Sequence, residues 1–157
     1  MKTIPLTQGK VAIVDDTDYE YLMQWDWYFH AKKYAARSIR PESGPATVLM
    51  HREVAERKGI ESKYVDHIDL NRLNNRRGNL RAATNSQNMA NRGPTKRNTS
   101  GFKGVFRDKS KHKWLASIRV AGHQIHLKRF DDKIDAAKAY NAAAVELFGE
   151  FAHLNPV

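Results

Sequence analysis

The sequence predicts an α+β protein in two parts: a small N-terminal sheet with a strand–loop–strand–helix unit, then a three-stranded antiparallel sheet packed on one C-terminal helix. Short β-branched and aromatic runs alternate with turn-forming residues through residues 1–92. Alternating apolar residues return in residues 100–157, where an Ala-rich helical pattern follows them. The basic segment 93–99 contains Gly and Pro without apolar periodicity, so it is predicted to be a linker between two domains.

The first 60 residues predict several short elements. The runs KVAIV, WDWYFH, KYAAR and TVLMH indicate strands of one small sheet, while DDTDYEYLMQW and MHREVAERKG indicate two short helices. Trp25 and Trp27 are expected in the core, or as the anchor between this sheet and the segment from Tyr64 to Arg92. His51 is expected to be a packing residue, and the alternative is that it approaches a functional centre.

The segment from Tyr64 to Arg92 is the most informative part of the chain. YVDHI predicts a strand, LNRLNNRRG a polar loop, and NLRAAT a second strand. A helix follows, because Thr84 and Gln87 have the spacing of a capping box, in which each side chain bonds the other residue's backbone N–H. Asp66 and His67 are therefore expected on the first strand.

This segment resembles the HNH nucleases, which have a ββα-metal fold, and most closely the phage-type homing endonucleases. The motifs DHIDLN, NNRRGNLR and SQN carry the resemblance, in this order. It implies that His67 is the general base and that Asn79 is the central Asn, which ties the loop to the strand and helps to hold the His. It also implies that Asp66 and Asn88 are ligands of one divalent metal, Mg²⁺ or Mn²⁺.

Phosphodiester hydrolysis explains why such residues are needed. An imidazole with a pKa of about 6.5 can accept a proton from water at neutral pH. A hard cation on one carboxylate and one amide oxygen keeps positions open for phosphate oxygens and water. The expected reaction is single-metal hydrolysis that leaves 5′-phosphate and 3′-hydroxyl ends. Taken singly, an Asp-His pair is more often structural, and Asn79 is more structural than chemical; the order and spacing together favour the nuclease.

Composition limits the other possibilities. The chain has no Cys, so it cannot form a thiolate zinc site and needs no oxidising compartment. No signal sequence and no membrane-length apolar run is evident, which predicts a cytoplasmic protein, in the host cell if phage-encoded, with no membrane partner. The segment from Arg92 to Phe130 has 11 Lys and Arg against one acid, Asp108, and so carries the whole net charge of +10. Such a localised positive charge attracts nucleic acid.

The C-terminal part predicts three strands and a helix. FKGVF, KWLASIR and HQIHLKRF supply the strands, and DDKIDAAKAYNAAAVELFGE supplies an amphipathic helix that Asp131 or Asp132 begins and Gly149 ends. Its Ala-rich face, extended by Tyr140 and Leu147, is expected to lie against the sheet.

These motifs, with LFGEFAHLN, resemble the APETALA-type, ethylene-response-factor DNA-binding domain, whose sheet lies in the major groove. Phe106 and His126 stand where that family often has Arg and Trp, so its sequence preference does not carry over. The resemblance implies these candidate DNA contacts: Lys103, Arg107, Lys113, Trp114, Arg119, Gln124 and His126. We expect Arg119 to contact a base edge. Further backbone contacts are expected from Arg92, Lys96 and Arg97 of the basic segment.

The combined prediction is a site-selective endonuclease for double-stranded DNA, acting as a monomer or homodimer. A monomer with one active site would nick one strand at each binding event. Three alternatives remain: a DNA-binding regulator with an inactive nuclease core, a nuclease acting on RNA, and a structural metal or interaction module.

Overall fold

A computed structural model describes residues 1–157, and its contacts divide the chain into two compact units, Met1–Ala83 and Thr84–Val157. Both units are α+β, which confirms the predicted fold class. The contact division precedes the third helix, whereas the sequence placed a boundary after residue 92. The domain boundaries at residues 92 and 100 stay a prediction.

The first unit contains seven short strands and two helices. The strands are β1 Lys2–Pro5, β2 Val11–Val14, β3 Tyr28–Phe29, β4 Ala35–Ile39, β5 Ala46–Leu49, β6 Tyr64–His67 and β7 Leu80–Ala83. The helices are α1 Asp16–Leu22 and α2 Met50–Arg57. All pairings are antiparallel: β1 with β2, β3 and β5 on either side of β4, and β6 with β7.

The predicted single N-terminal sheet is two separate sheets. The KVAIV run forms β2 and pairs with β1, which has too little apolar alternation to be recognised from the sequence. WDWYFH contributes only a two-residue strand, because Trp27 turns into the core and donates its indole N–H to the Leu22 carbonyl at 2.7 Å. Trp25 packs against the same core, so the prediction for both tryptophans is confirmed.

The second unit begins with α3 Asn85–Asn91, followed by β8 Val105–Asp108, β9 Lys113–Val120, β10 His123–Phe130 and α4 Lys133–Phe148. The three strands form one antiparallel sheet with β9 at its centre. Asp132 caps α4 and Gly149 ends it. Ala136, Tyr140 and Ala144 are buried on α4, but Leu147 is 44% exposed, so its expected place on the packed face was wrong.

Neither unit contains a helix with both the length and the apolar character needed to cross a membrane.

Gly104 allows α4 to approach the sheet closely. A Cβ at this residue would lie 2.1 Å from the Tyr140 ring and 2.5 Å from the Ser117 carbonyl oxygen. We expect Gly104→Ala to destabilise the protein by about 1–3 kcal/mol more than Gly122→Ala. Both glycines have positive φ, yet no atom lies within 4 Å of a Cβ at Gly122. Urea unfolding of both variants measures the difference, and equal losses would contradict the close-packing argument.

Candidate active site

The β6–β7 hairpin positions the first two candidate residues. Val65 and Tyr64 favour the strand, and the cross-strand pairs are Asp66 with Arg81 and His67 with Leu80. Asp66 and His67 are both buried, with 3% and 6% of their surface exposed. A carboxylate and an imidazole therefore lie side by side in the chain, largely shielded from solvent.

Asp66 is part of a buried ion pair. Arg81 donates from Nε and Nη2 to the Asp66 Oδ2 atom, at 3.1 and 3.0 Å. The pair lies directly across the two strands, so the hairpin register sets this contact. Arg81 balances the negative charge of Asp66, which would otherwise make burial of the carboxylate costly.

His67 lies in a pocket of rings and amides. Its Nε2 atom is 3.2 Å from Asn75 Oδ1, and its ring centroid is 6.1 Å from that of Tyr34. Burial lowers the pKa of His67 below its ordinary value, and the hydrogen bond with Asn75 opposes that shift. A histidine with a lowered pKa is neutral at pH 7, so its imidazole can accept a proton there.

His51 lies against His67. The two ring centroids are 5.0 Å apart, and the His51 ring is 4.9 Å from that of Tyr34. Its Nδ1 atom is buried without a hydrogen-bond partner. Burial, helped by the nearby His67, lowers the pKa of His51 to about 3 and keeps its ring neutral. His51 is thus a packing residue that also reaches the candidate base.

Asn79 stabilises the loop between β6 and β7 through its side-chain hydrogen bonds. Its Nδ2 donates to Asp69 Oδ1 at 2.9 Å and to the Asn74 carbonyl at 2.8 Å, and its Oδ1 accepts the Asp69 N–H at 3.1 Å. These bonds match a loop-holding role. The amide that contacts the His67 ring belongs to Asn75, which sequence reasoning did not single out. An Asn in a polar loop ordinarily indicates a turn, so its sequence signal was ambiguous.

Asn88 lies on α3, in the second unit. The predicted capping box is confirmed: Thr84 Oγ1 accepts the Gln87 N–H at 3.1 Å, and Gln87 Oε1 accepts the Thr84 N–H at 2.7 Å. Asn88 follows within the first turn, donates its N–H to the Thr84 carbonyl and is half-buried. Its joint role with Asp66 as a metal ligand stays a prediction.

The predicted metal donors can be judged by their chemistry. The chain has no cluster of three or more His, Cys, Asp or Glu residues that could hold a metal ion. Asp66 and Asn88 offer oxygen donors only, which suit a hard cation that keeps several waters or phosphate oxygens, such as Mg²⁺. An ion on Asp66 would share that carboxylate with Arg81. Oxygen donors of this kind suit a loosely held divalent ion better than a permanent structural one.

The sheet of the second unit has one face that α4 does not cover, and α3 lies at the edge of that face. Side chains of directly paired residues lie on the same face, which places Arg119 with Gln124 and Ser117 with His126. Gln124 donates to Ser117 Oγ at 2.7 Å, and its Oε1 accepts from Arg119 Nη2 at 3.3 Å. Arg119, Gln124 and His126 are exposed, so this face presents a guanidinium, an amide and an imidazole to solvent.

Other predicted DNA contacts are placed differently. Trp114 packs on the core beneath α4, and the Arg107 guanidinium lies 5.2 Å from its ring. Lys113 is 3.1 Å from the Asp131 carboxylate. Lys103 donates from Nζ to the Ala90 carbonyl near the end of α3, and burial lowers its pKa to about 8. Its ammonium is thus already bonded within the protein.

The three cations of the basic segment, Arg92, Lys96 and Arg97, are exposed. Their contacts with DNA, like those of the residues on the sheet, stay predictions.

Comparison with known proteins gives a family model that matches part of the chain and a relative that matches nearly all of it. A family model described as HNH endonuclease matches residues 48–90, which include β6, β7 and α3. A protein of Acanthamoeba polyphaga mimivirus named "Uncharacterized HNH endonuclease L560" is 34% identical over 152 residues, covering 96% of this chain and 77% of that protein.

Two further relatives match parts of the chain. "Protein 3.8" of Escherichia phage T7 is 37% identical over 89 residues, covering 57% of this chain and 73% of that protein. The "Dehydration-responsive element-binding protein 2D" of Arabidopsis thaliana is 34% identical over 84 residues, covering 52% of this chain and 40% of the plant protein.

Proposed function

This chain belongs to the HNH endonuclease family, and from that premise we propose that it is a metal-dependent endonuclease for double-stranded DNA, directed to its sites by the C-terminal unit. The buried His67 supports the proposal most strongly. Its lowered pKa leaves it neutral at pH 7, and it lies next to a carboxylate on the hairpin that the family model matches. A neutral imidazole in that place suits a general base for hydrolysis.

In the proposed reaction, His67 takes the proton of a water molecule that attacks the scissile phosphate. Asp66 and Asn88 would hold Mg²⁺ or Mn²⁺, which when bound supplies positive charge to the phosphate and to the departing 3′ oxygen. Arg81 keeps the Asp66 carboxylate in place through its two hydrogen bonds. The products would carry 5′-phosphate and 3′-hydroxyl ends.

The C-terminal unit would supply DNA affinity and site choice. Its open sheet face carries Arg119, Gln124 and His126, and the segment around it holds the net positive charge of the chain. Similarity to the plant protein, whose name describes binding to a DNA response element, supports an APETALA-type role for this unit. A tether of this kind raises the local concentration of a weakly selective nuclease near the bound site.

One observation favours a second candidate, a DNA-binding regulator without nuclease activity. The Asp66 carboxylate is already paired with Arg81, and a permanent pairing would exclude the metal. The two candidates predict the same binding to duplex DNA and differ in cleavage.

Cleavage of supercoiled plasmid at low salt tests the proposal. We expect nicked or linear product with Mg²⁺ or Mn²⁺ and none with excess EDTA. Asp66→Asn should abolish cleavage with either ion, whereas Asp26→Asn, an exposed carboxylate of the same unit, should behave as wild type. Duplex binding without cleavage in either metal would favour the regulator instead.

A further inference from the structure

Asn75 is fixed in place by the N-terminal sheet. Only 1% of its surface is exposed. Its N–H donates to the Ile13 carbonyl at 2.8 Å, and the Ile13 N–H donates to the Leu73 carbonyl at 2.8 Å. Ile13 belongs to β2, so this strand holds the main chain of the β6–β7 loop on both sides of residue 74.

The orientation of the Asn75 amide follows from its neighbours. The Nδ2 atom lies 3.3 Å from the Leu73 carbonyl oxygen and 3.3 Å from Met50 Sδ. A carbonyl oxygen can only accept a hydrogen bond, so the amide N–H group must face Leu73. The Oδ1 atom then faces His67. The contacts of the amide therefore show which of its two ends is oxygen and which is nitrogen.

This orientation determines which imidazole nitrogen carries the proton. Asn75 Oδ1 can only accept, so the nitrogen 3.2 Å away, His67 Nε2, must donate. In a neutral imidazole the other ring nitrogen is then an unprotonated acceptor.

We propose that Asn75 is a positioning residue that holds His67 in the Nε2-protonated tautomer and leaves Nδ1 as the nitrogen that accepts the proton of the attacking water. The role in catalysis rests on the proposed nuclease function, whereas the tautomer does not. In the reaction, the water proton passes to Nδ1, the water oxygen forms a bond to phosphorus, and the bond from phosphorus to the 3′ oxygen breaks. The 3′ oxygen then takes a proton from solvent.

The N-terminal β1–β2 sheet contributes to the candidate site through the main-chain hydrogen bonds of Ile13. Residue 13 lies outside the segment 48–90 that the family model matches. Through Ile13 and Asn75, β2 nevertheless reaches the imidazole of the candidate base within two hydrogen-bonded contacts. The sheet thus orients the proton acceptor as well as packing the core.

The test uses long-range ¹⁵N–¹H NMR of the metal-free full chain with ¹⁵N-labelled histidine, near neutral pH. We expect a protonated, pyrrole-type Nε2 and an unprotonated, pyridine-type Nδ1 for His67. The reverse pattern in the wild-type protein overturns the proposal. This measurement needs neither cleavage nor a variant, so it tests the tautomer even if every Asn75 variant fails to fold.

Variants of Asn75 test whether the tautomer of His67 affects the rate of DNA cleavage. Asn75→Leu removes the acceptor and should give a mixture of tautomers, with kcat lowered at least about tenfold and DNA affinity unchanged. Asn75→Asp keeps an acceptor beside Nε2, so Nε2 of His67 should stay protonated in this variant. Met50→Leu removes only the sulfur contact of the amide and should leave the His67 signature unchanged, because the Leu73 carbonyl still fixes the amide.

Two outcomes separate the proposals from each other. If Asn75→Leu leaves both the tautomer and kcat unchanged, Asn75 does not position His67. If the expected signature is present but no variant or wild-type protein cleaves DNA, the nuclease function fails and the positioning of His67 by Asn75 stands.

Discussion

His67→Ala is expected to lower DNA cleavage by about 10²–10⁴-fold while duplex binding stays unchanged, because the variant removes the proposed proton acceptor. The imidazole is buried and neutral at pH 7, and the cationic residues expected to bind DNA lie elsewhere in the chain. The change should appear in kcat, since binding to the phosphate backbone does not depend on a neutral ring.

Single-turnover cleavage and an equilibrium binding assay, made on the same duplex, separate these two effects. His30→Ala is the matched control: this histidine lies in a loop of the same unit, its ring accepts a local hydrogen bond from the Lys32 N–H, and it lies near the Tyr28 ring. Wild-type cleavage by His67→Ala would rule out the general-base role. Equal losses in the two variants would point to a general effect of removing a histidine.

Asp18→Ala is expected to cost about 3–5 kcal/mol of stability, the largest effect among the structural predictions. Asp18 is fully buried. Its carboxylate accepts from Arg77 at 2.7 and 2.8 Å and from Arg57 at 3.0 Å. These contacts join α1 to α2 and to the loop before β7. The substitution leaves two guanidinium groups without their common partner.

Urea unfolding at neutral pH measures this loss, and Asp16→Ala is its control. Asp16 lies in the same helix but is exposed, so its solvent-screened ion pair with the N-terminal amine should contribute little to stability. The hydrogen bond from Arg77 holds the pKa of Asp18 below its ordinary value of 3.8. A lowered carboxyl pKa stabilises the folded state above pH 3.8, and that contribution disappears as the pH falls further. The two Asp variants should therefore differ less in acid, and equal losses at neutral pH would contradict the argument.

The elements that were predicted well are those fixed by neighbouring residues. The capping box depends on Thr84 and Gln87, three residues apart, and the structure forms it. The three C-terminal strands alternate in apolar character, and Asp132 and Gly149 mark the ends of α4 as expected. Local hydrogen bonding and side-chain periodicity determine these features, so the sequence alone suffices to find them.

Several contacts in and around the candidate site depend on residues far apart in the chain, so local sequence patterns do not establish them. Nothing near Asn75 indicates that its amide meets His67, because β2, more than 60 residues earlier, fixes its main chain. His51 comes to His67 through the packing of α2. Lys103 was expected to face DNA, and its bond to Ala90 follows from how α3 packs within its own unit. The alternation of apolar residues in the strands does not show which face of the sheet α4 covers. In the structure, Trp114 lies on the face that α4 covers.

The ion pair between Arg81 and Asp66 indicates that the hairpin does not need a metal ion to fold. Small domains built around a metal unfold when it is withdrawn, because their ligands then repel one another or lie buried without a partner. Here a guanidinium on the neighbouring strand already balances the one buried carboxylate of the hairpin. If the proposed nuclease function holds, we expect removal of divalent ions to stop cleavage and to leave the thermal stability of the protein unchanged.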